Sequence, residues 1–533
     1  MHIERIVIQN YRAIRNLDMQ LQDGFNLIVG DNETGKSSLL EAINLCLRGQ
    51  LNRRPIRYEL HPFLFNVDTV ADYLEQLRAG NNPRPPEILI ETYFTGCPPD
   101  LQHLEGIANS KGTNSAGLRL RISLDEENFA AEYRDFIREP DKLTSIPVEL
   151  YKVERWTFSD KQVNQNLPPV RCALIDPSEI SNTHHANKYL LELVEDQLSD
   201  QQRVSLSLSY RELKDKFLAQ DEVLEVNEQL ERNRRHLLGN KSLTVGLDTT
   251  SKASWENTVQ PHIEGIPISL IGKGEQSNIK IRLAVEAANA TGVILIEEPE
   301  NHLSHTRLHT LLSQLRERAN GRQFIISTHS SFVLNKLGVD NTIMFNRANH
   351  SSLENLSPST ENYFRKLPGQ DTLRIILATK TILVEGPSDE LIIQKAYFQV
   401  HDALPADRGV EIISVRSLAF KRFMEIAQLM ESETHVITDN DGDPARVAAL
   451  YADFMKSPNI HVHFPPEAHL NTLEPQICAI NTLEVLNRAL GKEFQDKDAA
   501  RDWMLKNKTE AALRIFDSDE TIEIPEYILN AVR

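Results

Sequence analysis

The chain is short of cysteine. Cys46, Cys97, Cys172 and Cys478 are the four in 533 residues, and no two form a C-x-x-C pair. That spacing argues against both a zinc site and a disulfide framework. No run of about 18 apolar residues occurs, so no membrane-spanning helix is expected. The opening "MHIERIVIQNYRAIRN" interrupts its apolar stretch with charge, unlike the core of a signal peptide, so none is expected. A reducing cytoplasm is the expected compartment. Positive charge is scarce as well: 58 Lys and Arg stand against 76 Asp and Glu, a net charge of -18. That balance excludes a chain coated in nucleic-acid-binding surface, although not a local basic channel. Arg48, Arg53, Arg54 and Arg57 form one basic cluster and Arg232, Arg234 and Arg235 another; an ordinary solvated face accounts for either alone. What is present is ordinary for a globular protein: 40% hydrophobic and 25% charged residues, over a length that fits two or three domains.

The N-terminal third carries a phosphate-binding pattern. "FNLIVG" reads as a buried strand, and Gly30 to Ser37 then fits G-x-x-x-x-G-K-S. An amphipathic helix follows through Leu39, Leu40, Ile43, Leu45 and Leu47. Glycines in such a turn let backbone N–H groups curl round phosphates, while the helix N-terminus faces the negative charge. Lys36 is placed for the outer phosphates and Ser37 for Mg2+, with Gly30, Asn32, Gly35 and Ser38 completing the cradle. A second apolar strand, Val293 to Ile296, ends in Glu297 and Glu298. Glu297 is the candidate holder of Mg2+, and Glu298 the candidate general base for an attacking water. A third strand, in "RQFIISTHSS", ends near His329, a candidate contact to a γ-phosphate. Ahead of the acidic strand, "SLIGKGEQSNIKIRLAVEAA" opens a helix on a glycine-rich turn. Lys273, Gly274 and Gln276 there form a second helix start suited to an anion.

Taken in order, the phosphate loop, the glycine-rich signature, "LIEEPE" and "STHS" resemble the ABC-type ATPases of the recombination and repair class, related to SMC and RecF proteins. The resemblance implies ATP with Mg2+ and a homodimer or higher oligomer. In such an assembly the signature turn of one subunit completes the nucleotide site of another. Two departures stand out: Lys273 occupies a place where serine is common, which puts efficient turnover in question, and Glu297 one where aspartate is usual.

Some 260 residues separate the phosphate loop from the acidic strand. "EILIETYF" (Glu87 to Phe94) and "LRLRISL" (Leu118 to Leu124) read as strands, with a loop at 106–117. From Ala186 to about Asn233 there is neither Gly nor Pro, and the apolar spacing predicts two or three amphipathic helices with a break near "SLSLS". They read as a helical dimerisation insert or as a layer on the head. Residues 347–372 are polar and turn-rich and predict a connection between domains. The expected division is an ATPase part at 1–170, a helical insertion at 171–260, a second ATPase part at 261–350 and a separate domain at 375–533.

The C-terminal region alternates strands and helices. "TKTILVEGPSDELIIQ" is a strand ending at Glu385, with Asp389 near the start of the next helix. After a middle strand, "VEIISV", the stretch "HVITDNDGD" is a strand running into Asp439, Asp441 and Asp443. In a parallel sheet these acids would lie beside Glu385, where open α/β sheets bind ligands. Oxygen donors without His or Cys suit Mg2+ or Mn2+. Two such ions about 4 Å apart cleave phosphodiesters, one activating water and one steadying the leaving oxygen. "DNDGD" alone equally fits a calcium-type turn or a solvated loop.

"LVEGPSD" with "ITDNDGD" resembles the Toprim domain of topoisomerases, primases and a group of nucleases. An ABC-type head joined to Toprim resembles the OLD (overcoming lysogenization defect) family of ATP-dependent nucleases. The fold class so implied is α/β: an ABC-type head with a helical insertion, then a Rossmann-like Toprim domain with a parallel sheet. The resemblance assigns metal binding to Glu385, Asp389, Asp439 and Asp441, adds Glu474 as an acidic ligand, and places Lys508 near the scissile phosphate. It implies a DNA endonuclease or nickase using ATP and two Mg2+ or Mn2+ ions, in anti-phage defence or DNA processing, with DNA, a further copy, and a defence-system protein or an RNA or DNA element as partners. Two alternatives stay open: an SMC- or RecF-like DNA-binding ATPase with an inactive Toprim site, and a topoisomerase- or primase-type enzyme. A topoisomerase would need a tyrosine nucleophile, for which Tyr363 and Tyr397 are available; a primase would bring a zinc module that the cysteines cannot build.

Overall fold

Period-two burial along His2–Tyr11 hides Ile6 and Ile8, and the strand pairs antiparallel with Ile14–Gln20 and Ile88–Thr95. Ser115–Leu124 and Tyr151–Thr157 extend this antiparallel sheet. A second sheet has the order Cys172–Ile175, Val293–Glu297, Gln323–Ser327, Phe25–Val29, Thr342–Phe345, all parallel, with His350–Ser352 antiparallel at its edge. Its strands are apolar runs because both faces are covered. Leu27, Ile28, Val29 and Val293 to Ile296 are fully buried. One face packs on helix Lys36–Arg48 and the antiparallel sheet. The computed structural model describes the chain except residues 31–33, 52–53, 164–169, 171, 177–197, 235–242, 248–254, 256–258, 260, 288–291, 320, 346–349, 353–355, 368–371 and 416–418.

The C-terminal sheet is wholly parallel, in the order Val410–Ser414, Lys380–Val384, Glu433–Ile437, Ile460–His463. In chain order that is 2-1-3-4. The connections from the first strand and to the third depart in opposite directions, leaving a crevice at the carboxyl ends of these two neighbours. Glu385 and Asp439 follow those two strands directly, so the expected adjacency holds. Alternate residues of the sheet enter two cores: Ile382, Val384 and Ile412 one, Leu383, Ile413 and Val436 the other.

That second core is shared with the outer face of the head sheet, through Ile294, Phe324 and Ile326. Within the polar stretch 347–372, Leu356 and Phe364 join this core. Ser357 caps helix Pro358–Lys366, with proline at its first turn, and Phe364 is fully buried edge-on to Phe423, ring centroids 5.3 Å apart. Burying a side chain of that size stabilises by about 1.5–3 kcal/mol, which periodicity in so short a helix does not reveal. The Thr372 hydroxyl donates to the side-chain amide oxygen of Asn335 at 2.8 Å, and the Leu373 N–H to the Ser331 hydroxyl at 3.3 Å.

The insertion is described in part. Helix Asp200–Leu218 runs unbroken through Ser205 to Ser209, and the break falls instead before helix Asp221–Arg234. The Ser207 hydroxyl bonds back to the Arg203 carbonyl at 3.0 Å, which lets serine continue a helix. Val204, Leu208 and Leu213 are exposed. The first part of the expected helical stretch, from Ala186 to 197, lies outside the described residues. Among the described residues no helix is long and apolar enough to cross a membrane.

Candidate functional site

The phosphate loop begins where strand Phe25–Val29 ends. A Cβ on Gly30 would lie 2.2 Å from the Phe345 carbonyl oxygen, and Gly35 has φ +107°, so neither position accepts a side chain without strain. Asn32 lies outside the described residues. Lys36 is buried and donates to the Gly30 carbonyl at 2.8 Å. The Ser37 hydroxyl, in the first turn of helix Lys36–Arg48, donates to Glu297, although strand Gln323–Ser327 lies between strand Phe25–Val29, which leads into that helix, and the strand that ends in Glu297. Burial pushes Glu297 above the usual carboxylate range, the Ser37 hydrogen bond pulls it down, and Asp176, Glu298 and Glu41 push it up. A hydroxyl and a carboxylate brought together are a donor pair that fits Mg2+.

Glu298 has a positive φ of 41°. Its carboxylate accepts from the Asn301 amide at 2.7 Å and lies 3.3 Å from His329 Nε2. The sequence-predicted base and histidine therefore meet. Both line one open cleft of about 650 Å3 with Gly35, Lys36, Ser37 and Ser38. Arg12, Phe63 and Asp68, from segments without a recognisable motif, line it too.

The signature turn does not reach this cleft: none of Lys273, Gly274 and Gln276 is among its lining residues. A Cβ on Gly274 would meet the His302 carbonyl oxygen at 2.4 Å, so the glycine permits docking on the turn after the acidic strand. Gln276 is buried and its amide donates to the Ile271 carbonyl at 2.8 Å. Lys273 is exposed.

At the carboxyl ends of the C-terminal sheet, Glu385 lies across its neighbour strand. One oxygen accepts from the Thr438 hydroxyl at 2.7 Å and the Asp439 N–H at 3.0 Å. Asp389, in the first turn of helix Pro387–His401, accepts the Gly386 N–H at 3.0 Å. Glu385, Asp389, Thr438 and Asp439 line a common pocket. Glu474 is buried and lies 3.3 Å from the Lys508 ammonium. Burial pushes Asp439 up to about 8, with Glu385, Asp389 and Glu474 adding to the rise and Lys508 opposing it. Asp389 is pushed up to about 7, by burial first and then Glu385, against the Gly386 N–H and Lys508.

The structure separates the three aspartates of "DNDGD". Asn440 is fully buried; its amide donates to the carbonyls of Pro465 and Glu467, both at 2.9 Å, and its oxygen accepts the Gly442 N–H at 2.8 Å. That anchoring leaves Asp441 exposed, with φ 49°, outside the pocket lining. Asp443 caps helix Pro444–Tyr451, accepting the Arg446 N–H at 3.0 Å. This short-range role, common for an aspartate before proline, accounts for Asp443 without a metal.

The oxygen donors suit Mg2+ or Mn2+, and Glu385, Asp389, Asp439 and Glu474 are the residues that would hold them. Among the described residues no group of three acids or histidines is already converged for an ion. Glu385, Asp389 and Glu474 are each turned onto a hydrogen-bond donor or cation instead. Tyr527, from helix Glu526–Val532, also lines the pocket, its phenol pushed up by burial and by the carboxylates of Asp439, Asp389, Glu474 and Glu385. Nothing in its sequence neighbourhood signals this. Tyr397 is buried against His401, not exposed as a nucleophile would be.

Comparison with known proteins gives three family matches. A model described as AAA domain covers residues 5–241, and one described as AAA domain, putative AbiEii toxin, Type IV TA system covers 176–335. A third, Overcoming lysogenization defect protein-like, TOPRIM domain, covers 376–441. Among curated proteins, DNA replication and repair protein RecF of Actinobacillus pleuropneumoniae serotype 5b is 37% identical over 72 residues, 13% of this chain and 20% of that protein. RecF of Enterobacter sp. strain 638 is 39% identical over 71 residues, 12% and 20% of the two chains. The chain thus spans about a fifth of the length of these curated relatives. Among solved structures, an SMC head bound to the C-winged helix domain of ScpA aligns over 66% of this chain and 97% of its own at 14% identity, TM-score 0.36. RecF with ATP aligns over 66% and 99% at 12% identity, TM-score 0.35.

Proposed function

We propose, from the ATPase–Toprim architecture of the overcoming-lysogenization-defect family that this chain has, that it is an ATP-regulated, divalent-metal-dependent DNA endonuclease or nickase. The observation that carries the reading is the meeting of Glu385 and Asp439 at the switch point of a parallel sheet, with Asp389, Glu474 and Lys508 around them. Like charges gathered in a partly buried pocket repel, and hard divalent cations relieve that repulsion. Bound there, such ions supply an activated water and a stabilised leaving oxygen. Glu385 and Asp439 hold and orient them. Lys508, kept near the pocket by Glu474, faces the charge that grows on the phosphate oxygens. Asp441, on the outer side of the turn, serves an ion only if the turn shifts.

In the head, Lys36 and Ser37 receive the phosphates of ATP and its Mg2+, and Glu298, beside His329, acts as base. Lys273, exposed and away from its own cleft, is the part of the signature turn open to a second copy, which supports a homodimer. The segment after His329 bonds through Ser331 to Leu373 and through Asn335 to Thr372, so a change at the γ-phosphate reaches the Toprim core. Cytoplasmic anti-phage defence or DNA processing is the setting we infer.

A second reading, a DNA-binding ATPase with an inactive Toprim site, draws support from the unconverged acids. A plasmid assay with Mg2+ or Mn2+, with and without ATP, separates the two. Wild type should nick or cut, Asp439→Ala should not, and Lys36→Ala should cut without responding to ATP. No cleavage by wild type under any condition would favour the second reading.

A further inference from the structure

The cleft above the phosphate loop has an aromatic wall that no motif announced. Phe63 is 78% exposed, although the loop that carries it is held firmly. The Arg12 N–H donates to the Leu64 carbonyl at 2.8 Å, and the Asn66 N–H to the Asn10 carbonyl at 3.0 Å. The Asn66 amide donates to the Arg12 carbonyl at 2.9 Å, and Tyr11 and Phe65 form an isolated β-bridge. Phe65 anchors the loop: it is buried and meets Tyr151 edge-on, ring centroids 5.3 Å apart. The turn so clamped, residues 10–14, also touches the phosphate loop, because a Cβ on Gly35 would sit 3.4 Å from both Ala13 and Ile14. Phe63 is thus a large apolar ring presented to water on a backbone fixed relative to Lys36 and Ser37.

An exposed ring on an anchored loop, lining a cleft of ligand size, is suited to a flat aromatic partner. We propose that Phe63 is the platform on which the base of the bound nucleotide stacks. The inference rests on reading the phosphate loop as a triphosphate site, and adds to it the recognition of the nucleoside end. Stacking is tolerant of base identity, since every base has a π-face. Phe63 therefore contributes affinity for nucleotides over bare polyphosphate rather than choice among bases.

The test compares binding of ATP and of inorganic tripolyphosphate to wild type, Phe63→Ala, Phe63→Trp and Lys36→Ala, all as the full chain. Phe63→Ala should weaken ATP roughly ten- to a hundredfold and leave tripolyphosphate unchanged. In Phe63→Trp, ATP should quench the added indole emission and tripolyphosphate should not. Unchanged ATP affinity in Phe63→Ala overturns the proposal. So does a change in self-association by sedimentation without a change in ATP affinity, which would assign the ring to a contact between copies. Lys36→Ala should weaken both ligands; if it weakens neither while Phe63→Ala still selects against ATP, the phosphate-loop reading fails and the platform stands.

Discussion

Glu297 ends a parallel strand in the head and accepts from a serine hydroxyl; Glu385 follows a parallel strand in the Toprim domain, accepts from a threonine hydroxyl and stands beside Asp389 and Asp439. The two sites share a position in their sheets, and in both burial and neighbouring carboxylates push an acid up; they differ in the donors and cations placed around those acids. In the head, Ser37 donates to Glu297, Asn301 and His329 meet Glu298, and Lys36 lines the same cleft. In the Toprim domain Lys508 is the cation that lowers Asp389 and Asp439, and both remain far above the ordinary value of 3.8. We read the first site as one for phosphate and the second as one for cations. That division of charge is the physical basis for assigning ATP to one and ion-assisted chemistry to the other.

The largest test of this contrast is ion affinity. Asp439→Ala should weaken Mn2+ binding by at least about a hundredfold, measured calorimetrically in the absence of nucleotide, and leave ATP affinity unaltered. Equal loss at both sites would break the comparison. A smaller effect concerns pH. Asp389 and Asp439 are raised to about 7 and about 8 in the folded chain, so between about 4 and 8 the native state holds more protons than the unfolded one. Without divalent ions, stability should therefore be fullest below about pH 4 with respect to these groups and decline as pH rises through their folded values. Asp439→Asn should raise the melting temperature of the ion-free protein by about 2–4 °C at pH 8, with the gain shrinking as pH falls and vanishing below about pH 4. A gain of the same size at both pH values would deny that repulsion is the cause. The smallest effect distinguishes Asp443 from its neighbours: Asp443→Ala should cost about 1 kcal/mol of stability in chemical denaturation, as a lost helix cap, while cleavage persists.

Much of both sites was legible in advance because their residues lie within a few positions of a strand end. Lys36, Ser37, Glu297, Glu385 and Asp439 each follow an apolar run, and a parallel sheet brings such ends together. Glu474 and Lys508 fall beside the same acids, as the family resemblance implied. Other features were not legible. Alternation of acids in "DNDGD" suggested one cluster, yet the buried amide of Asn440 turns Asp441 outward and helix capping claims Asp443. The signature glycine read as an anion-binding element; the packing that leaves no room for a side chain there, against the turn at His302, was not legible. The polar stretch after residue 347 read as a connection, but one buried phenylalanine makes part of it core.

The order of residues alone determined that this chain has a phosphate loop, a second acidic strand and a Toprim-type pair of motifs, because each is a local pattern of glycine flexibility, apolar period and charge. Only the tertiary structure decided which acids share a pocket, that Tyr527 and Phe63 line the two cavities, and that head and Toprim sheets are joined by one core. Those outcomes depend on long-range packing and on which donors each carboxylate meets, and neither quantity is encoded in any short stretch of chain.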